Sequence, residues 1–217
     1  MSLLKHLNTY FYRAEELCQT LKISEEMLYE WQQGGLFPKP SYSIQNNITC
    51  SSYLGIYECE EFTDYYPRGS VQWGQDLLKY KANTSSQAYE LFYQQYLQTL
   101  GKCHQQALAC QDPRFSDDLE EQIQTSWQQY LCSKYGTISQ NGLIEEIVYI
   151  ELGRAIVDEL TEERTASSLD VTIRPLLLKA LKLLNRAISH QAKHEQNQSL
   201  RERYIDALVI KYDLSVK

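Results

Sequence analysis

Apolar positions recur at helical spacing twice in quick succession near the start of the chain. In residues 12–22, YRAEELCQTLK, the repeating positions are Ala14, Leu17, Cys18 and Leu21, and Ile23 is expected to end that helix. Ser24 suits the N-cap of a second helix. Glu25 and Glu26 fill its first turn, where the macrodipole favours acids, and Met27, Leu28 and Trp31 form its apolar stripe. Gly34-Gly35 stops it, and Pro38 and Pro40 keep the chain extended beyond. Two short helices joined by a tight turn form a helix-turn-helix pattern. From Tyr42 to Thr63 the pattern changes to β-formers (Ile44, Ile48, Tyr53, Ile56, Tyr57) set among Ser, Asn and Thr. Asn46-Asn47 is expected to turn a short hairpin there, as a wing.

After a turn at Pro67-Arg68-Gly69 the reading is helical. Tyr89, Phe92, Tyr93, Tyr96, Leu97 and Leu100 form one stripe. Asp117 and Glu120 read as a capping pair ahead of Leu119, Ile123, Trp127, Tyr130 and Leu131. KYGTISQNG, residues 134–142, reads as a loop. Leu143, Ile144, Ile147, Val148 and Leu152 open a helix running to about Leu160. Another begins near Pro175, with Leu177, Leu178, Leu181, Leu184 and Ile188 inside, and Ser199 caps a last one through about Tyr212. The expected fold is mainly α: a winged helix-turn-helix over residues 1–67 with a β-hairpin wing, then an all-α helical domain over 68–217.

Composition narrows the function. The 217 residues are 43% apolar and 23% charged, an ordinary balance for a packed protein. A net charge of −7 repels nucleic acid and anionic lipid unless a local patch reverses the sign. No apolar run approaches the roughly 18 residues of a membrane span. The opening MSLLKHLNTYFYRAEE lacks an apolar export region, so a cytoplasmic location is expected. The six cysteines, Cys18, Cys50, Cys59, Cys103, Cys110 and Cys132, form no CxxC pair and read as reduced thiols. The 17 tyrosines suit a packed seam or an interface, since Tyr buries a ring while its tip stays wet.

LYEWQQGGLFP, residues 28–38, resembles the MerR-type winged helix-turn-helix through Leu28, Trp31, Gly35, Leu36 and Pro38, with Phe37 similar; Ala14, Leu17 and Ser24 also fit. The resemblance implies a DNA-reading fold over about the first 65 residues. Two departures bear on that. Tyr29 stands where the family has a phosphate-binding arginine, and SYSIQNNITCSSY has no cation where the family's wing carries Gly-Tyr-Arg. Residues 1–67 hold four Lys or Arg (Lys5, Arg13, Lys22, Lys39) against nine acids, a formal 4 − 9 = −5. DNA affinity comes largely from cations that neutralise phosphates, on the order of 6–10 of them in useful binders. The whole chain also resembles an uncharacterised bacterial family labelled as natural-product biosynthesis proteins. GGLFPKPSY, YLCSKYGTISQNGLIEEIVYIELGRAIVDEL and SLRERYIDALVIKYDL carry that likeness. Its Gly-Thr-Tyr-Gly turn is matched here by Tyr135 and Gly136 alone, and it implies no catalytic residue.

Candidate chemistry is sparse. His190 and His194 would share a helix face, but no third ligand is fixed beside them, and solvated histidines are the plainer reading; no metal and no cofactor is expected. Cys103 and Cys110 would fall on one helix face as a buried thiol pair, with His104 turned about 100° away. Trp73 and Trp127 with the tyrosine-rich helix could line a ligand pocket, though such stripes are usually core. Arg174, Lys179, Lys182, Arg186, Lys193, Arg201 and Arg203 make the C-terminal third locally basic, most simply as a solvated face. Two candidate sites remain. One is the outward face of the second helix, Glu25, Glu26, Tyr29, Glu30 and Gln33, turned toward a partner or DNA. The other is the segment Lys134, Tyr135, Gly136 and Thr137. The reading favoured by charge is a non-catalytic interaction or regulatory module that contacts a protein partner or a second copy of itself. A MerR-like transcription regulator and an accessory protein or small-molecule enzyme of a biosynthetic pathway are the alternatives.

Overall fold

The computed structural model describes residues 2–189, 192, 194, 195 and 199–215. Helix α1 (Leu3–Tyr10) runs into strand β1 (Phe11–Arg13), neither of which has a legible period. Helices α2 (Ala14–Leu21) and α3 (Glu25–Gln33) follow. Helix α2 is shorter than its stripe suggests. Tyr12 and Arg13 are taken by pairing with Tyr66 and Tyr65, and Lys22 turns out of the helix at φ 58°. The Ser24 hydroxyl caps α3, accepting from the Met27 N–H at 3.2 Å. Gly35, at φ +68°, takes the chain out of α3 in a conformation that glycine adopts without a Cβ clash. Gln32 ties α3 to the sheet, donating to the Pro38 carbonyl at 3.0 Å and to the Tyr66 hydroxyl at 2.9 Å. Burial pushes the Tyr66 phenol up to about 12.

Strands β2 (Tyr42–Ser52) and β3 (Gly55–Pro67) form an antiparallel hairpin, with β3 between β1 and β2. The hairpin is long, and Asn46-Asn47 does not turn it: both lie inside β2, opposite Glu61 and Glu60. The reversal falls at Tyr53-Leu54. There the Leu54 N–H donates to Ser52 Oγ at 3.1 Å and Gly55 takes φ +132°. A tight turn needs a residue tolerant of positive φ, and glycine serves better than either asparagine. Strand β1 covers β3 only at Tyr65–Pro67, so the outer hairpin is a two-stranded ribbon.

The rest is helical: α4 (Ser70–Tyr80), α5 (Ser85–Gln105), a 3-10 turn (Pro113–Phe115), α6 (Leu119–Leu131), α7 (Lys134–Ile138), α8 (Ile144–Leu160) and α9 (Arg174–Ala187). A π-helical turn (Glu202–Asp206) leads into α10 (Ala207–Lys211), and Ser199 Oγ accepts from the Glu202 N–H at 3.0 Å. Three details differ from the pattern reading. Helix α6 is entered from the 3-10 turn, so Asp118 rather than Asp117 takes the cap, and its side chain makes no capping bond. Helix α5 ends at Gln105, and Ala107 at φ 57° turns the chain; Cys110 therefore lies in the connection and shares no helix face with Cys103. Residues 134–138, read as loop, form the single turn α7, too short to show a period.

One buried apolar cluster runs from Leu17, Leu28 and Trp31 through Trp73, Phe92 and Trp127 to Leu177 and Tyr204. Trp73 Nε1 donates to the Leu36 carbonyl at 2.8 Å, fastening α4 to the exit from α3. Helix α8, apolar nearly all round, packs against α5 and α9. A smaller cluster of Leu7, Phe11 and Tyr65, flanked by Tyr42 and Ile44, seats the base of the hairpin. The protein is thus mainly helical with one small three-stranded antiparallel sheet. No helix among the described residues is long and apolar enough to cross a membrane.

Candidate functional site

Helix α3 buries Leu28 and Trp31 and leaves Glu25, Glu26, Tyr29, Glu30 and Gln33 exposed together on its other side. Tyr29 is 62% exposed. The outer hairpin is also bare. Tyr53, Leu54, Ile56, Tyr57 and Phe62 are exposed large apolar side chains, and Glu58, Glu60, Glu61 and Asp64 supply its charge. No Lys or Arg occurs between residues 40 and 67.

Segment 133–142 behaves differently. Ser133, at φ 61°, reverses the chain after α6, and its hydroxyl lies 2.9 Å from that of Ser41. The Lys39 N–H donates to the Leu131 carbonyl at 2.9 Å, and the Gly69 N–H to the Asn141 carbonyl at 2.6 Å. Gly136 sits where a Cβ would run into Ser41 and Ser133, and Gly142, at φ +77°, where a Cβ would meet the Pro67 ring. Glu146 closes the segment, accepting from the Asn141 N–H at 2.8 Å, the Asn141 amide at 2.7 Å and the Leu143 N–H at 3.1 Å. Burial pushes its carboxyl above the usual range, against the pull of those hydrogen bonds.

Lys134 and Tyr135 join a polar group that sequence reasoning did not assemble. The Tyr135 hydroxyl lies 2.9 Å from both Gln129 Oε1 and Glu151 Oε1, and Lys134 Nζ donates to Gln129 Oε1 at 2.6 Å. Arg154 stands 3.6 Å and Lys134 4.0 Å from the Glu151 carboxylate. Burial pushes the Tyr135 phenol far up and the Lys134 ammonium down, with Glu151 opposing the latter. Tyr135 is fully buried, so the group braces α6, α7 and α8 around one neutralised carboxylate and exposes no phenol to a substrate. Glu151 had one signal in the sequence: it is an acid inside the apolar run IVYIELGRAIV. Gly136 is the close-approach point described above. Thr137 faces away, lining a cleft of about 120 Å³ with His6, Tyr42, Arg68 and Asn141.

A larger cleft of about 350 Å³ opens between α4, α5 and the start of α8, walled by Trp73, Asp76, Gln95, Lys102, Tyr130 and Glu145. Gln95 donates to Asp76 at 2.9 Å, and burial raises the Tyr130 phenol. Trp127 does not reach this cleft; it is held inside the core at 5.8 Å from Trp73 and 5.2 Å from Phe92. The cleft offers donors and acceptors but no thiol, and burial pushes Cys103 elsewhere on α5 up to about 11, away from nucleophilic use. Burial also raises Cys110. Among the described residues no three His, Cys, Asp or Glu side chains gather as a metal set would. His190 and Lys193 lie outside the described residues. Of the basic C-terminal set, Arg174, Lys179, Lys182, Arg186 and Arg203 are exposed, while Arg201 donates to Asn185.

No curated protein and no solved structure matches the chain. A model of the family of unknown function DUF6058 matches residues 88–213, more than half of the chain, which therefore belongs to that family. The matched stretch begins within α5 and leaves α1–α4 and the hairpin outside it.

Proposed function

We propose that this member of the family joins the matched helical half to a winged helix-turn-helix of the MerR type, and that the winged unit recognises protein rather than DNA. The element order α1-β1-α2-α3-β2-β3, with β3 central in the sheet, supports the winged-helix reading. Within it α3 takes the place of a recognition helix and the β2–β3 hairpin that of a wing. The observation that carries the functional reading is the charge of those two surfaces. Glu25, Glu26 and Glu30 stand on the exposed side of α3, and the hairpin has four acids and no cation. A DNA-reading helix meets the major groove through its N-terminal residues, which here are acids. With no cation on the wing, the surface cannot release the condensed counterions that drive DNA binding. Exposed tyrosine and aliphatic side chains with acids suit a protein contact instead.

The test is titration of fluorescent mixed-sequence duplex DNA with the full chain at low salt, about 50 mM, the condition most generous to a charge-driven complex. The expected result is no change in anisotropy. Binding that weakens steeply as salt rises would overturn the reading and favour a transcription regulator.

A further inference from the structure

Among the described residues strand β2 is an open sheet edge with none of the usual protections, touched only at its base, where the Tyr42 hydroxyl donates to Glu195 at 2.9 Å. Sheet order β1-β3-β2 places it at the rim, and it pairs with β3 at every position from Tyr42 to Ser52 without a bulge. Natural edges are blunted by charge, proline, bulges or shortness. Strand β2 is 11 residues long, and its sequence, YSIQNNITCSS, contains no charged residue and no proline. Strand β3 also has an open outer edge beyond Tyr65, but it carries Glu58, Glu60, Glu61 and Asp64. The acids guard one rim and leave the other free.

The ribbon also lacks a layer. Side chains alternate across it, so Ile44, Ile48 and Cys50 share a face with Tyr57 and Cys59, interrupted by the Asn46–Glu61 pair and continuing outward from the cluster of Leu7, Phe11 and Tyr65. Tyr57 on that face is 65% exposed. A two-stranded ribbon is marginal in water, and three or more strands with an apolar face are needed for independent stability.

We propose that β2 pairs antiparallel with β2 of a second copy of this chain about a twofold axis, joining the two hairpins into one continuous sheet. A second copy fits because an uncharged strand meets its twofold mate without any like-charge contact, so the −7 of each chain is kept away from the seam. In the joined sheet the acidic β3 strands stand three strand spacings apart, about 14 Å. That exceeds the Debye length of about 8 Å at physiological salt, so their repulsion is screened. The faces that carry Ile44, Ile48 and Tyr57 in the two ribbons line up, and the outer hairpin becomes four-stranded.

This inference rests on the reading of the hairpin as a protein-contact surface, and its test is separate from the DNA titration. Sedimentation and light scattering of the full chain at concentrations up to the order of 100 µM are expected to give twice the chain mass. Asn47→Lys with Thr49→Lys places cations opposite Glu60 and Glu58, a favourable cross-strand arrangement that leaves the hairpin paired but charges the rim. That variant is expected to have the single-chain mass and an unchanged circular dichroism spectrum. A wild-type chain that stays single, or a folded lysine variant that stays double, overturns the inference; a single chain that also ignores DNA leaves the functional reading standing. Hydrogen exchange on the wild type serves should the variant misfold. Exchange of the Tyr42–Ser52 amides is expected to slow roughly tenfold between dilute and concentrated protein. Slowing confined to other segments, or none, sinks the pairing.

Discussion

SYSIQNNITCSSY in the hairpin and SKYGTISQNG between α6 and α8 look alike on paper. Each is rich in Ser and other small polar residues, each lacks a helical stripe, and each has tyrosine and isoleucine among them. In the folded chain they are opposites. The outer hairpin is bare on both faces, with Tyr53 and Leu54 fully exposed at its tip. Segment 133–142 is built into the body: Ser133, Tyr135 and Ser139 are buried, its backbone bonds to Gly69 and to the end of α9, and the Ser133 hydroxyl meets that of Ser41 beside the hairpin. The difference lies in the partners available to the polar groups. Each strand of the ribbon meets the other's backbone and leaves its outer row open, whereas the junction finds hydroxyls, carbonyls and a buried carboxylate on surrounding elements. Polar composition therefore does not set exposure; the density of fixed partners does.

The sharpest way to break this contrast is to add one methyl group to the junction. Gly142→Ala would need a left-handed conformation and would press its Cβ against the Pro67 ring, which cannot swing aside. A loss of about 2–4 kcal/mol is expected, seen as a lower urea midpoint at unchanged slope. Glu146→Gln comes next. It removes one of two carboxylate oxygens that hold three donors, and a loss of about 1–3 kcal/mol is expected. Its pH dependence has a definite sign. Burial raises the folded Glu146 carboxyl above its ordinary value of 4.5, so the folded form holds the proton more tightly than the unfolded chain. That advantage is complete below pH 4.5 and is lost as pH climbs through the raised value. Thermal melts across pH should show the cost of Glu146→Gln shrinking as pH rises through that window. The smallest effect belongs to the hairpin: Leu54→Ser, at the exposed turn, should change stability by no more than about 0.5 kcal/mol in the same urea assay.

Much of the helical body was legible. Ser24 marked the start of α3, the tyrosine stripe gave α5, and Pro175 marked α9, because a single buried face repeats every 3.6 residues. What escaped was short or tertiary. Helix α7 is one turn, and β1 is three residues held only by β3, so neither has a period to detect. The hairpin turn was misplaced because Asn46-Asn47 has turn chemistry, while cross-strand pairing carries the strands on to Gly55. In the candidate sites, the outward face of α3 was visible as the complement of its apolar stripe. The Tyr135–Glu151 brace was not, since its members lie 16 residues apart and meet only when α7 folds onto α8.

The placement of the tryptophans has a practical consequence. Trp31 on α3, Trp73 on α4 and Trp127 on α6 are all buried in the large cluster, and the hairpin has none. Indole emission therefore reports the integrity of that shared core and is silent about the ribbon. Nor do its phenols reveal it, because Tyr53 and Tyr57 are already exposed in the folded chain and change little on unfolding. A denaturation curve recorded by indole fluorescence thus follows the body alone, and a ribbon that comes apart first leaves it unchanged.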